Sequence, residues 1–305
     1  MGKAIAINRC NRRIPSRGPV FIVGCPRSGT TIVQAALISR SEIVSFPETQ
    51  LPYRFLHDIA WPLEKVGRSG ATLSEKFWAQ SNRLGFSRKD SRQLLGDAER
   101  MISNRQPKLR FPRRISLRAA IRDYVELVER YTNGQLWLEK SPLNVLCTRY
   151  IQDALPDARF VHVVRRAEDV VASIVEASKT HLPFRKFSGA DGWRSAFVLW
   201  KDCVSNTIDV SAESAHIVVN YHKFVEKPDQ VLQEISRHLH TPLALEPLKV
   251  DLSSIARSQE NWKFERGTKI RKLPSRAVAV LGEERIDFIR THAEPFEVKA
   301  FSAVS

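Results

Sequence analysis

The most informative features of this 305-residue sequence are first its absences. No apolar run approaches the roughly 18 residues that a membrane-spanning helix requires. The basic opening stretch has no apolar core, so it does not read as a secretory signal. Ala6 breaks the myristoylation pattern after Gly2. No Asn-x-Ser/Thr acceptor for a glycan occurs. The four cysteines, Cys10, Cys25, Cys147 and Cys203, lie far apart with no CxxC pair. That spacing indicates neither a zinc site nor a disulfide framework and fits a reducing compartment. Cytoplasmic is therefore the expected location. Repeats and low-complexity tracts are missing too. Acidic residues are scarce: 33 Asp and Glu stand against 48 Lys and Arg, a formal charge of +15. Such an imbalance suits anionic ligands, whether a nucleotide, an acidic acceptor, a membrane surface or nucleic acid. A hydrophobic share of 43% suffices for a sizeable core, and the length predicts one large α/β domain.

What is present centres on Val20 to Thr31, VFIVGCPRSGTT. Val20 to Val23 fit a short buried strand. Gly24 and Gly29 bound a tight loop, and a helix-compatible run from Thr30 to Ser39 follows. A strand, a glycine-bounded loop and a helix start together cradle phosphate, because backbone N–H groups and the helix dipole both favour an anion. The Gly24-x4-Gly29 spacing matches a Walker A loop, but Thr30 stands where a nucleoside triphosphatase places lysine. The cation is instead Arg27, inside the loop, followed by the hydroxyls of Ser28, Thr30 and Thr31. The ligand expected is shorter than a triphosphate. Cys25 does not make a phosphatase loop, since that chemistry needs arginine where Thr31 stands.

Along the chain, residues 1–18 read as a basic leader. A second short strand is expected over Glu42 to Phe46, stopped by Pro47, with Glu48 just past it. Further strands are predicted at Leu136 to Leu138, Arg159 to Val164 and His216 to Tyr221. Helices are predicted at 115–131, 144–154, 168–179, 193–210, 228–239 and 278–292. The βαβ rhythm argues for a parallel sheet of about five strands, doubly wound, with helices on its flanks. Residues 54–130 read as a helical lid inserted into it. Lys108 to Arg114, interleaved around Phe111, reads first as a solvated loop, with a nucleic-acid contact or the lining of an acceptor cleft as alternatives, and Lys263 to Arg276 reads as a basic loop. A second phosphate candidate lies at Val163 to Ser173. There Arg165 follows a strand end, and Ser173 sits eight positions later on the next helix. A guanidinium offers a fork of donors to a phosphate, and a helical hydroxyl adds one more. Glu168 and Asp169 offer the plainer alternative of a surface ion-pair cluster.

The string Pro26-Arg27-Ser28-Gly29-Thr30-Thr31 resembles the 5′-phosphosulfate loop of PAPS-dependent sulfotransferases, where PAPS is 3′-phosphoadenosine-5′-phosphosulfate. Arg165 and Ser173 resemble the same family's 3′-phosphate pair, although Ala167 stands where the family often has Pro and Arg166 replaces a frequent Asp or Asn. The two signatures fall in the family's order, and the likeness covers about residues 19–180. Weaker support extends through Tyr221 and Pro228, and Tyr221 is a candidate nucleotide contact. The resemblance implies a P-loop-like α/β domain over 19–305 with PAPS as donor substrate, no metal, and an acceptor that bears a hydroxyl. Within the family, Pro47-Glu48-Thr49 is similar to the tyrosylprotein-sulfotransferase branch, which makes Glu48 the candidate general base. Glu139-Lys140-Ser141-Pro142 is similar in the same branch and makes Lys140 the cation that stabilises the departing oxygen. An unperturbed glutamate, pKa about 4.3, is a weak base for a hydroxyl, and burial in a closed cleft raises it. Arg27 is a second catalytic cation. His57, His162 and His181 are alternative bases, with His162 expected in the core. Two other function classes remain open from the residues alone: a P-loop kinase or nucleoside triphosphatase, and a non-catalytic binder of polyanions or nucleic acid.

Overall fold

In the computed structural model, the described residues are 18–56, 86–87, 95–100, 102, 114–115, 117–244, 255, 270, 272 and 274–303. They form a parallel five-stranded sheet between two layers of helices. Its strands are β1 (Val20–Gly24), β2 (Val44–Ser45), β5 (Trp137–Lys140), β6 (Arg159–Val164) and β7 (His216–Asn220), in the order β2-β5-β1-β6-β7. Each neighbouring pair is parallel, with Ile22 opposite Lys140, Gly24 opposite Val163 and Val164 opposite Asn220. All five strands therefore end at one edge of the sheet.

The helices sort by the two faces of these strands. Phe21 and Val23 face one way and Val20 and Ile22 the other, as the period of two requires. The Val20 face packs on α1 (Thr30–Ile38) and α8 (Pro228–Leu239), through Val33 and Leu37 and through Leu232, Ile235 and Leu239. The Phe21 face is thicker. It packs on α3 (Leu117–Thr132), α4 (Thr148–Ala154), α5 (Ala167–Ser178), α6 (Gly192–Val210) and α10 (Glu283–Ser302). Trp137, Tyr124, Phe160, Trp200 and Ile289 are buried there. Among the described residues no helix is long and apolar enough to cross a membrane.

Three expectations are revised by the structure. The second strand keeps only Val44 and Ser45, since it is an edge strand that pairs solely with Trp137 and Leu138 before Pro47 removes a donor. The helix expected over 144–154 is a 3₁₀ segment, Pro142–Cys147, running into α4. The last helix is broken at Gly282, whose φ of 79° needs a glycine, into α9 (Ala277–Leu281) and α10, which continues through Pro295 to Ser302. Among the described residues, the 54–130 region, read as helical, holds most of α3 and a short antiparallel ribbon of β3 (Phe86–Ser87) and β4 (Arg114–Ile115), and a short helix α2 (Leu51–Arg54) leads into it. The basic leader, His57 and most of the loops at 108–113 and 263–271 lie outside the described residues.

The expectation for His162 holds: it is buried in the core on β6 and belongs to a closed polar chain. His162 Nδ1 lies 3.0 Å from Thr207 Oγ1, whose own proton goes to the Cys203 carbonyl (3.1 Å), while His162 Nε2 meets His216 Nδ1 and His216 Nε2 meets Gln152 Oε1, each at 2.8 Å. Each of the four ring nitrogens therefore has a hydrogen-bond partner. Burial pushes His162 well below the ordinary histidine range, with the neighbouring His216 adding to it. Burial also holds His216 at about 4, and it holds His238, near Arg159, at about 4. A folded pKa below the unfolded one stabilises the fold above the unfolded value and is lost as pH falls. Each unit of pKa difference is worth about 1.4 kcal/mol. Thermal melts should therefore drop steadily as pH falls from about 6.5 towards 4, by about 1.4 kcal/mol from His216 alone at pH ~5.5. A melting temperature flat across that window would show that these rings already carry charge in the fold.

Candidate functional site

The loop after β1 takes the strained shape that phosphate cradles need. Gly24 has φ 145°, Arg27 φ 74° and Gly29 φ 100°. A positive φ at a non-glycine residue such as Arg27 costs on the order of 1–3 kcal/mol and persists where function demands it. Gly29 caps α1 in the left-handed region, and the α1 amides begin there, with Ile32 N–H and Val33 N–H returning to the Gly29 carbonyl (3.2 and 3.3 Å). Ser28 is 1% exposed, and its Oγ has no protein hydrogen-bond partner. Thr30 is buried at the helix start and Thr31 half-buried. Burial and contact with Cys203 push the Cys25 thiol upward, away from the thiolate, which agrees with its reading as a small loop residue and not a nucleophile.

The second junction lies directly beside the first. β6 pairs with β1, and α5 follows β6. Ser173 on α5 accepts a hydrogen bond from Arg27 Nε at 3.1 Å, so the two candidate phosphate motifs touch. Arg165 is half-buried while Arg166 is exposed, so Arg165 is the one that turns inward. Its guanidinium lies over the Tyr221 ring, 4.7 Å from the centroid. Its Nε is buried without a hydrogen bond and stands 3.4 Å from Asp169 Oδ2. Asp169 also accepts from Ser275 Oγ (2.5 Å) and faces His222 Nε2 at 3.6 Å. The ion-pair alternative is thus real for Arg165 and Asp169, and Arg290 pairs with Glu168 in the same way (3.4 Å). Neither pairing removes Arg165 from the site.

Tyr221 closes the arrangement. It opens the short helix α7 (Tyr221–Glu226) at the end of β7, and Asn220 Oδ1 caps that helix by accepting from His222 N–H (2.9 Å) and Lys223 N–H (3.2 Å). The ring lies so close to the phosphate loop that a Cβ on Gly29 would sit 2.3 Å from Tyr221 Cδ2. Gly29→Ala is therefore expected to displace Tyr221, strain the helix cap and lose about 2 kcal/mol of stability together with ligand binding. Wild-type melting and binding in that variant would contradict the packing. Three buried polar atoms without hydrogen bonds, Ser28 Oγ, Arg165 Nε and His222 Nε2, follow the ends of β1, β6 and β7, which are consecutive in the sheet. Asp169 faces two of them, Arg165 Nε and His222 Nε2, whereas Ser28 Oγ has no protein partner, and a buried hydroxyl left unpaired costs about 1–3 kcal/mol, so a polar ligand at the glycine loop is its natural partner.

The third part lies at the end of β5. Lys140 is 1% exposed and its Nζ contacts Glu48 Oε1. A surface lysine is thereby excluded. Gln50 Nε2 lies 3.4 Å from Glu48 Oε2. Glu48 comes from the loop after β2, so β2 and β5 bring base candidate and cation together, one strand over from the phosphate loop. Of the alternative bases, His162 is in the core and His181 lies in the segment after α5. Among the described residues no three His, Cys, Asp or Glu side chains group as metal ligands. The motifs gave no site role to His222 or the buried Glu139, and Asp169 entered only as an ion-pair partner. The usable signal was position, since all three stand at or just after strand ends.

An open parallel α/β sheet thus carries a glycine loop, two neighbouring cationic junctions and an acid–lysine pair along its carboxyl edge, the place where open α/β sheets put their functional groups. The chain belongs to the sulfotransferase family, whose model matches residues 19–245. Protein-tyrosine sulfotransferase A of Caenorhabditis elegans is 24% identical over 228 residues, 73% of this chain and 50% of that protein. A Caenorhabditis briggsae relative is 24% identical over 223 residues, 72% of this chain and 64% of its own. The chain thus spans about half to two-thirds of the length of these relatives. In structure, the sulfotransferase domain from the curacin biosynthetic pathway superposes with a TM-score of 0.52 at 18% identity, covering 91% of this chain and 98% of that one. A sulfotransferase of Mycobacterium avium does so with 0.51 at 14% identity, covering 93% and 76%. These likenesses agree with the five-stranded, P-loop-like fold.

Proposed function

We propose that the protein is a PAPS-dependent sulfotransferase that moves a sulfuryl group to an acceptor hydroxyl by in-line displacement. The observation that carries this reading is the Arg27–Ser173 hydrogen bond across neighbouring strand ends, with the Glu48–Lys140 pair on the same edge. One bisphosphorylated nucleotide can then be held at both ends. The Ser28, Gly29, Thr30 and Thr31 stretch takes the 5′-phosphate, Arg165 and Ser173 take the 3′-phosphate, and Tyr221 stacks near the nucleotide. When bound, PAPS supplies an activated sulfuryl group. Glu48 accepts the proton of the acceptor hydroxyl as its oxygen bonds to sulfur. Lys140 and Arg27 stabilise the negative charge that builds on the bridging oxygen as its bond to sulfur breaks. The reading calls for no metal, because protein cations and amides supply the positive field.

The acceptor class extends over small molecules, sugars, lipids and peptides. The names of the Caenorhabditis relatives make peptide tyrosine the first class to assay. A cytoplasmic setting rests on the sparse cysteines, of which Cys25, Cys147 and Cys203 are free. The test is a pair of measurements. Adenosine 3′,5′-bisphosphate (PAP), the desulfonated product, should raise the melting temperature, and labelled PAPS with a cell extract should yield products heavier by one SO₃ group. No shift at millimolar PAP would overturn the reading. Magnesium-dependent ATP turnover would revive the kinase alternative, and salt-steep binding with no preference for PAP would favour a polyanion binder.

A further inference from the structure

Directly behind the Glu48–Lys140 pair lies a second carboxylate with no assigned role. Neighbouring residues on a strand face opposite ways, so Lys140 meets Glu48 while Glu139 turns to the α3 side, where Trp137 packs edge-on against Tyr124 (6.3 Å). Glu139 is fully buried, and burial raises its carboxyl above the usual range. Its Oε1 accepts from both Thr49 Oγ1 (2.5 Å) and Ser141 Oγ (2.7 Å). With their protons committed to Glu139, the two hydroxyl oxygens become acceptors for the backbone. Ser141 Oγ takes Gln50 N–H at 3.0 Å, and Thr49 Oγ1 takes Leu51 N–H at 3.2 Å. Both amides belong to the loop that carries Glu48. That loop includes Gln50 at φ 53°, a left-handed conformation that costs energy for a residue with a side chain. Asn144 Oδ1 holds the far end through Tyr53 N–H (3.1 Å).

We infer that Glu139 is a positioning residue. Its Oε1 orients the Thr49 and Ser141 hydroxyls, these pin Gln50 and Leu51, and the pinned loop keeps Glu48 against Lys140. Glu139 does not touch the reactants, and its value to catalysis rests on the proposed roles of Glu48 and Lys140. What the relay needs is an acceptor oxygen at this point, which a glutamine also supplies.

Amide hydrogen exchange on the whole chain, with PAP absent and present, tests this without an acceptor. In Glu139→Leu, the Gln50 and Leu51 amides are expected to exchange about tenfold faster than in wild type, the worth of one ordinary hydrogen bond. The core strands β1 and β6 should keep their protection. In Glu139→Gln, the two amides are expected to stay within about threefold of wild type, because Oε1 is kept. Thr49→Val, which preserves shape and removes the hydroxyl, should free Leu51 alone, and Thr49→Ser should restore it. These last two variants leave Glu139 in place and serve if the leucine variant does not fold. Wild-type protection of both amides in Glu139→Leu, or of Leu51 in Thr49→Val, overturns the inference, as does equal loss in the leucine and glutamine variants. Failure of the functional reading looks different. Glu48→Gln would then keep its turnover while Glu139→Leu still frees the loop.

Discussion

Glu48→Gln is expected to lower sulfuryl transfer by about 10²–10⁴-fold, the usual range for a lost general base, while PAP still raises the melting temperature. Glu48 is the acidic side chain that meets Lys140 at the end of β5, and its side chain is 14% exposed, open enough to meet an acceptor. Glutamine keeps the size of the side chain and an oxygen that Lys140 Nζ can reach, so the pocket survives. It cannot take a proton from a hydroxyl. The loss should therefore fall on kcat, with the KM for PAPS nearly unchanged, because the phosphates are held by other strands. Lys140→Met should also lower kcat, through the leaving oxygen and not the acceptor, so its effect should shrink with a donor whose leaving group needs less stabilisation. Near-normal turnover in Glu48→Gln would remove that carboxylate from the chemistry. Loss of the PAP shift in the same variant would mean that Glu48 supports nucleotide binding instead.

The parallel sheet and the strand ends that carry both candidate phosphate junctions were legible in the residues, because short apolar runs ended by Gly, Arg or Pro mark where a buried strand stops, whereas the order of the strands across the sheet was not. Val20 to Gly24 and Arg159 to Val164 are such runs, and the structure keeps both. Lys140 was legible as a strand-end residue, but its burial was not. Nothing in WLEKSP says whether the ammonium faces solvent or a carboxylate from a loop some ninety positions earlier. The relay from Glu139 was hidden for the same reason. Its partners Thr49 and Ser141 gain meaning only when β2 and β5 pair. The last helix was read only to His292, and Pro295, a residue that normally ends a helix, follows. In α10 the apolar positions Ile286, Ile289, Ala293 and Ala300 pack on the core on both sides of the proline, and tertiary burial outweighs the lost hydrogen bond.

Arg165→Ala is expected to weaken PAP binding by about 10²-fold and leave binding of adenosine 5′-monophosphate almost untouched. Charge-assisted hydrogen bonds to an ionised group are worth about 1.5–3 kcal/mol each, and a guanidinium can place two on one phosphate. The residue is set up for this. Its carbonyl is fixed by Trp200 Nε1 (3.0 Å), its guanidinium rests on the Tyr221 ring, and Asp169 holds Nε. The fold should tolerate the change, because Asp169 keeps Ser275 and His222. Arg165→Lys should fall between the two, since a point charge cannot fork. The comparison of two nucleotides isolates the 3′-phosphate. A variant that merely disturbed the sheet edge would lose both ligands together, through the Gly29–Tyr221 contact. If Arg165→Ala keeps the wild-type preference for the bisphosphate, the second junction does not read the 3′-phosphate. The single-nucleotide bridge from β1 to β6 would then fail at its far end, leaving the phosphate loop as a general anion site.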